Sequence, residues 1–595
     1  MIFPLTTVLA AFLGWFWLSS SGIPACRCRP GQPCWPQPSE WTALNQSING
    51  NLLRLRPVAH VCHDPFYDRS ACQELSENLK DSGWRASQPG SLQGWVWESG
   101  PSENETCLVD SPREAACPQG QIPLYSATVE ATEHIQAAVR FALRHRLRLV
   151  VRNTGHDTAG RSSGAESLQI HTRRMSQIRY HANFQAEGSE AELGPAVSVG
   201  AGATLGEVYA RGAHEGWVVV GGECPTVGAV GGFLQGGGVS NFLSFTDGLA
   251  VDNVLEFEVV TAEGELVVAN AHQHSDLFWA LRGGGGGTFG IVARATMRVH
   301  RNVPICVGEM AVSGPEHSAI FWSRGVAGLF SILQTSNQKG IPGQFILYPP
   351  SQETVKATLT LYFMNTQDTG EDSEHVQYAR AVLEETAIPH TLSTTCHPRV
   401  SDVLRTGSDI LPANYGILTG SVLVSEELFN SEQGPHYLAD RLKQFPMGPG
   451  DLLFTSNLGG NVTADTEGTR MDTAMHPGWR KAAQLINFVA DVSIPTPQAK
   501  RRALERLHEV QMRMLYEIEP GFNVSYRNLG DPLESDAPGV YCGSNYEDLL
   551  EIKQKWDPEG LFFSRLGVGS QGWEADGMCR RQRWLGGELN PPTDA

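Results

Sequence analysis

An α+β fold in two parts is what this chain of 595 residues predicts. Three observations carry that prediction. First, glycine-rich turns follow runs that read as buried strands: residues 147–152 (LRLVVR) before 153–157 (NTGHD), and 218–220 (VVV) before a stretch that ends at Asn241. A third run, 283–290 (GGGGGTFG), closes the set. A glycine run behind a strand lets the backbone turn sharply and approach a flat or anionic ligand with no side chain between. Second, helix, strand and polar turn succeed one another tightly up to about residue 302. Third, the texture changes from Pro304, where strand-like pieces alternate with helical stretches. The length also exceeds what one simple core holds.

Taken in order, residues 1–25 read as a secretory signal. The apolar core 8–18 (VLAAFLGWFWL) is shorter than the ~20 residues of a spanning helix, and Ser19 to Ser21 and Ala25 follow as a cleavage region. An uncleaved anchor is the competing reading. Residues 26–120 are rich in Cys, Pro, Ser and Trp and show little periodicity, as expected of a disulfide-tied segment wrapping the first domain. Of twelve cysteines, seven fall here: Cys26, Cys28, Cys34, Cys62, Cys72, Cys107 and Cys117. That density fits an oxidising compartment, and no paired CxxC or HxxxH pattern favours a metal. Four sequons, at Asn45, Asn104, Asn461 and Asn523, are candidate glycosylation sites.

From residue 125 the pattern sharpens. Thr132 is a candidate N-cap, and Ile135, Ala138, Val139, Ala142 and Leu143 mark one apolar helix face. Strand 147–152 and the His156 turn follow, then a strand at 196–200 and a helix over 205–217. Strands 253–261 and 265–269 flank a Glu263-Gly264 turn and read as a hairpin. A short helix over 276–282 and a strand over 290–300 complete the first domain, 121–302. The second, 303–519, shows strand-like pieces at 345–349, 357–364 and 416–424, and a helix at 375–386. A long amphipathic helix over 498–518 places Leu504, Leu507, Val510, Met514 and Ile518 on one side. A tail, 520–595, carries a helix that stops at Asp557-Pro558.

Several function classes are excluded. A formal net charge of −19 with no long basic run argues against nucleic-acid and membrane-surface partners. Gly285-x-Gly287-x-x-Gly290 follows a helix instead of a strand, which is the wrong context for a dinucleotide fingerprint. Gly200-x-Gly202 follows a strand, but Leu205 occupies the third glycine position. No GxxxxGK[ST] sequence is present.

The pair VRNTGHDTAGRSSG (151–164) and GGECPTVGAVGGFLQGGG (221–238) resembles the bicovalent branch of the flavoprotein oxidases related to vanillyl-alcohol oxidase and berberine bridge enzyme. The resemblance spans roughly 120–302 and returns at 520–570. It implies a two-part PCMH-type FAD-binding domain, a second α+β substrate domain laid over the isoalloxazine face, and a C-terminal segment that returns to the FAD domain. His156 would then bond the flavin 8α-methyl carbon and Cys224 flavin C6. With Cys224 so used, eleven cysteines remain, so at least one stays outside intrachain disulfides.

Neutral His and thiolate Cys are the nucleophilic forms these bonds need, and Asp157 is placed to tune the histidine. Residues Arg152, Asn153, Thr154, Gly155, Asp157, Gly221, Gly222, Thr226, Gly228, Gly231 and Gly232 would line ring and pyrophosphate, since turn N–H groups bind anions. Gly236, Gly237, Gly238, Ile291, Val292 and Asn545 are further candidate contacts. Residues 525–529 (SYRNL) resemble the family's NYxDL stretch, with Ser525 and Asn528 replacing the usual Asn and Asp. Tyr526 is therefore the first candidate base and Tyr541 the second; a phenol of pKa ~10 needs a cation or flavin charge to serve. The expected protein is a secreted monomeric oxidase with O2 and a small molecule (an alcohol, a sugar or a secondary-metabolite intermediate) as its partners, no metal, and H2O2 as product; a flavin dehydrogenase, an oxidative cyclase of secondary metabolism and a non-catalytic flavin-binding secreted protein are the competing readings.

Overall fold

The computed structural model describes residues 26–102, 105–365, 373–406, 416–460, 472–493 and 496–581. The candidate signal segment and the sequons at Asn104 and Asn461 lie outside the described residues. Three large sheets and a two-stranded one organise the described residues. A four-stranded sheet runs in the order Leu52–Arg54, Tyr125–Thr128, Leu168–His171, Leu149–Arg152, with the last three strands parallel. Helix Thr132–Arg144 packs on it through Ile135, Ala138, Val139 and Ala142. Its N-cap is Ala131, one residue before the Thr132 that sequence favoured.

A five-stranded antiparallel sheet follows: Ile178–His181, Ala196–Gly200, Ile291–Arg298, Val254–Val260 and Leu266–Asn270. The last two form the expected hairpin. Of the run 218–220, only Val218 pairs as strand, in Trp217–Val218 against His300–Arg301. Val219 and Val220 are buried but already belong to the turn.

The third sheet has seven antiparallel strands, in the order His390–His397, Ile305–Pro315, Thr354–Met364, Gly343–Leu347, Leu452–Asn457, Ala482–Asp491, Ile417–Ser425. Helices Ala327–Gln338 and Gly434–Lys443 share its largest apolar cluster. The expected helix over 498–518 is present but not uniform. Pro497–Arg506 is α-helical, Leu507–Met512 is a π-helical turn, and Arg513–Tyr516 is α-helical again. An i→i+5 turn advances the helix phase by less per residue than 3.6 periodicity assumes. Val510 is consequently 43% exposed, while Gln511 and Met512 turn inward.

Five disulfides form: Cys26–Cys579, Cys28–Cys34, Cys62–Cys72, Cys107–Cys117 and Cys306–Cys396. Cys224 and Cys542 remain outside them, which matches the odd count expected without Cys224. Cys542 receives a hydrogen bond from Arg527 Nη2 at 3.0 Å. Cys306 and Cys396 sit directly opposite on paired strands and close a 90-residue separation. Converting both to serine is expected to cost about 2–4 kcal/mol through the freed unfolded chain. Equal urea midpoints for the variant and the parent would contradict this. No helix among the described residues is long and apolar enough to cross a membrane.

Candidate functional site

One cleft opens where three parts of the chain meet. Its wall takes residues 153–158 from the first glycine turn, Glu223, Val227, Gly228, Gly231, Gly232, Gln235, Val239 and Asn241 from the second, Ile417, Phe454, Ser456 and Leu485 from the seven-stranded sheet, and Tyr526, Asn528 and 562–564 from the C-terminal segment. The His156 turn is bolted to each neighbour. Thr158 Oγ1 donates to Asn528 O at 3.1 Å, and Thr419 Oγ1 to Thr158 Oγ1 at 2.9 Å. Behind it, the N-terminal segment supplies Gln93, whose main-chain N–H donates to Gly155 O at 2.9 Å and whose amide donates to Thr154 O at 3.1 Å. Gly155 sits at φ +84, a backbone region that favours glycine.

The two glycine turns lie against one another. His156 Nε2 and Thr226 Oγ1 are 2.7 Å apart, and the Gly228 N–H donates to Thr154 Oγ1 at 3.2 Å. A Cβ on Gly228 would stand 2.3 Å from Asn153 Oδ1, so only hydrogen fits there. Asn153 Nδ2 in turn donates to Ala201 O. Cys224 is half-buried on this turn, two residues before Thr226 and one after cleft-lining Glu223.

Other expected contacts fall elsewhere. Arg152 is fully buried behind the turn, its Nη2 donating to Arg85 O and its Nη1 2.8 Å from His171 Nε2. Burial pushes its pKa down, opposed by the charge of Glu98. Asp157 lines the cleft but does not reach for His156. Its carboxylate takes Arg161 Nε at 2.6 Å and the main-chain N–H of Arg161 and Ser162. Gly228, Gly231 and Gly232 line the cleft, whereas Gly221, Gly222, Gly236, Gly237 and Gly238 stand behind the wall. Ile291 and Val292 open a buried strand, and Asn545 Nδ2 donates to Met475 O at 2.8 Å, away from the cleft.

Tyr526 lines the cleft; Tyr541 does not, its hydroxyl being 3.4 Å from Asp531 O under the Arg527 guanidinium. Burial pushes the Tyr526 phenol up to about 12, against the hydrogen bond from Asn528 Nδ2 at 2.8 Å and the more distant Arg161 charge. The cation that a tyrosinate needs is therefore present but outweighed. Sequence reasoning missed Arg161, Gln235 and Glu223, all inside the two quoted motifs, and Phe562-Phe563-Ser564, for which no motif signalled.

The residues present fit a flat, polar-edged cofactor. Beyond Gly232 and Gly287 no atom lies within 4 Å of where a Cβ would stand, so main chain meets the cleft directly. Asn153 Oδ1 and Gln235 Oε1 are buried with no partner and border the same space. Apolar Ile417, Phe454 and Leu485 face it from the large sheet. Fold and site together define a flavin-binding enzyme.

Comparison with known proteins narrows that class. Residues 123–270 match the FAD binding domain family, and residues 525–569 the family of berberine and berberine-like proteins. The FAD-linked oxidoreductase easE of Aspergillus fumigatus is 69% identical over 492 residues, covering 83% of this chain and 78% of that protein. The FAD-linked oxidoreductase asqF of Emericella nidulans is 45% identical over 585 residues, covering 97% of this chain and 100% of the relative. Among solved structures, a VAO-type flavoprotein of Myceliophthora thermophila C1 superposes with a TM-score of 0.81 at 30% identity, over 93% of this chain and all of that one. The berberine bridge enzyme of Eschscholzia californica shares the fold, with a TM-score of 0.63 at 15% identity over 89% of this chain and 98% of that one. The chain belongs to the FAD-linked oxidoreductases related to vanillyl-alcohol oxidase and berberine bridge enzyme.

Proposed function

We propose that this oxidoreductase is a secreted oxidase that takes a hydride from the CH–OH carbon of an alcohol, sugar or secondary-metabolite substrate. FAD would be held by an 8α-histidyl bond at His156 and a 6-S-cysteinyl bond at Cys224, and O2 would regenerate it to give H2O2. The observation that carries the double tether is the 2.7 Å contact between His156 Nε2 and Thr226 Oγ1. It brings the histidine against the turn that bears Cys224, at the edge of one cleft. FAD when bound supplies a two-electron acceptor.

The chain's own groups then have distinct tasks. Main chain at Gly231, Gly232 and Gly287 admits the ring and pyrophosphate at close range. Asn153 and Gln235 offer buried acceptors to cofactor N–H or hydroxyl groups. Tyr526, kept as a phenol by burial, orients the substrate oxygen instead of acting as a tyrosinate. Tyr541, turned to Asp531 O, has no part in that step.

Export is supported by five disulfides, with cleavage near Ala25 and glycans at Asn45, Asn104, Asn461 and Asn523. Of these, Asn523 is exposed and Asn45 half-buried. The protein would work as a monomer, divided at 120/121, 302/303 and 519/520. An oxygen-electrode assay of secreted protein against a panel of alcohols, sugars and polycyclic metabolites tests the reading. Oxygen uptake with one peroxide per turnover is expected for at least one substrate. Anaerobic bleaching by a substrate followed by slow recovery in air would mark a dehydrogenase and contradict the oxidase assignment.

A further inference from the structure

Two carboxyl groups line the cleft among the described residues, Asp157 and Glu223. Asp157 is neutralised by Arg161 at 2.6 Å. Glu223 differs. Its Oε1 accepts the main-chain N–H of Asn241 at 3.1 Å, no cation among the described residues pairs with it, and the residue lines the cleft. The phenols of Tyr209 and Tyr362 feel its charge, Cys224 is its chain neighbour, and His156, Arg161 and Tyr526 line the same cleft. Tyr209 donates to Gly222 O at 2.7 Å, and Tyr362 stacks on Phe242. Burial, joined by the Glu223 charge, raises both phenols far above neutrality, so neither takes a proton from it nor gives one up. Burial also pushes Glu223 up to about 7, opposed only by the N–H groups of Asn241 and of Glu223 itself. A base poised near working pH is the efficient kind.

A polar chain continues from this carboxyl across an otherwise apolar wall. Ser456 Oγ donates to Asn241 Oδ1 at 2.7 Å, and Asn487 Nδ2 donates to Ser456 Oγ at 3.3 Å. Glu223, Asn241 and Ser456 all border the cleft, between Val239, Phe454 and Leu485. Glu223 also directly precedes Cys224. Flavin C6, to which the proposed function assigns that cysteine, is the ring carbon peri to N5, the atom that accepts hydride.

We propose that Glu223 is the proton acceptor of substrate oxidation, with Asn241 and Ser456 holding the substrate's reacting hydroxyl. The assignment rests on the flavin site proposed above. The substrate's C–H hydrogen leaves with its electron pair for FAD, its O–H proton goes to the Glu223 carboxylate, and a C=O bond forms. The carboxyl later returns its proton to solvent.

Sulfite provides a test that needs no known substrate, because it adds reversibly at flavin N5 and bleaches the visible band. The flavin-loaded full chain is compared with Glu223→Gln and Glu223→Asp. Relative to Glu223→Gln, wild-type sulfite affinity is expected to fall about tenfold or more between about pH 5.5 and about pH 8.5, as a carboxylate forms in the cleft and repels the anion. Glu223→Asp should keep that step. With a substrate from the panel, anaerobic flavin reduction should slow about 100-fold to 10,000-fold in Glu223→Gln, and its limb near neutral pH should vanish. Parallel sulfite profiles for wild type and Glu223→Gln would overturn the assignment. So would loss of bound flavin in both variants, which would make Glu223 a cofactor-holding residue. A wild type without flavin would instead refute the site on which the assignment rests.

Discussion

Glu98→Ala is expected to destabilise the protein by about 3–5 kcal/mol and to loosen the His156 turn, although Glu98 lies outside the cleft. Its Oε1 accepts Arg85 Nη2 at 2.5 Å and the Leu92 N–H at 2.7 Å, and both side chains are almost wholly buried. Arg152, also fully buried, lies close enough to feel the same charge. Burial dominates the pair, pushing the Glu98 carboxyl up and the Arg85 guanidinium down, each partly offset by the other. Removing the anion leaves two guanidinium groups in a dry interior with one compensating charge gone. The Arg85 and Leu92 region is also what holds Gln93 under Gly155 and Thr154. Urea unfolding of variant and parent measures the effect. A loss below about 1 kcal/mol would show that the network tolerates an unpaired charge.

Gly228→Val should disassemble the junction of the two turns. Its Cβ would stand between 2.3 and 2.5 Å from three atoms of the Asn153 amide, which is held in place by Ala201 O. Two further methyl groups make relief by a small rotation insufficient. Overpacking of this kind costs about 1–3 kcal/mol. The functional effect should be larger: with Asn153 displaced, the Thr154 contact to the Gly228 N–H and the seat of His156 against Thr226 are lost together. The purified variant should be folded but nearly colourless. A yellow variant with a normal visible band would show that the turns meet without this contact.

Local chemistry was legible in the sequence, and long-range partnership was not. The helix Thr132–Arg144, the hairpin Val254–Val260 with Leu266–Asn270 and the helix Tyr546–Trp556 are set by periodicity and turn residues within a dozen positions. The two glycine motifs could likewise be identified, since glycines that meet a ligand leave a composition signal. Arg152 looked like a ligand contact because it adjoins the turn. Nothing local says that its side chain points backward to Arg85 and His171, residues 67 and 19 positions away. Asp157 looked like a partner for His156, its neighbour, but the fold gives its carboxylate to Arg161. Val510 is exposed where regular helical spacing predicts burial, because the π-helical turn that shifts its phase has no sequence signature. Glu223 stood inside the motif as its one charged residue, but only the burial of its surroundings reveals an unusual carboxyl.

Acid denaturation followed by gel filtration in denaturant tests the double tether most directly. The yellow colour is expected to elute with the wild-type polypeptide, to persist with it in His156→Ala and in Cys224→Ala, and to pass to the small-molecule fraction only when both residues are replaced. Wild-type polypeptide that elutes colourless, with all the flavin in the small-molecule fraction, would contradict it.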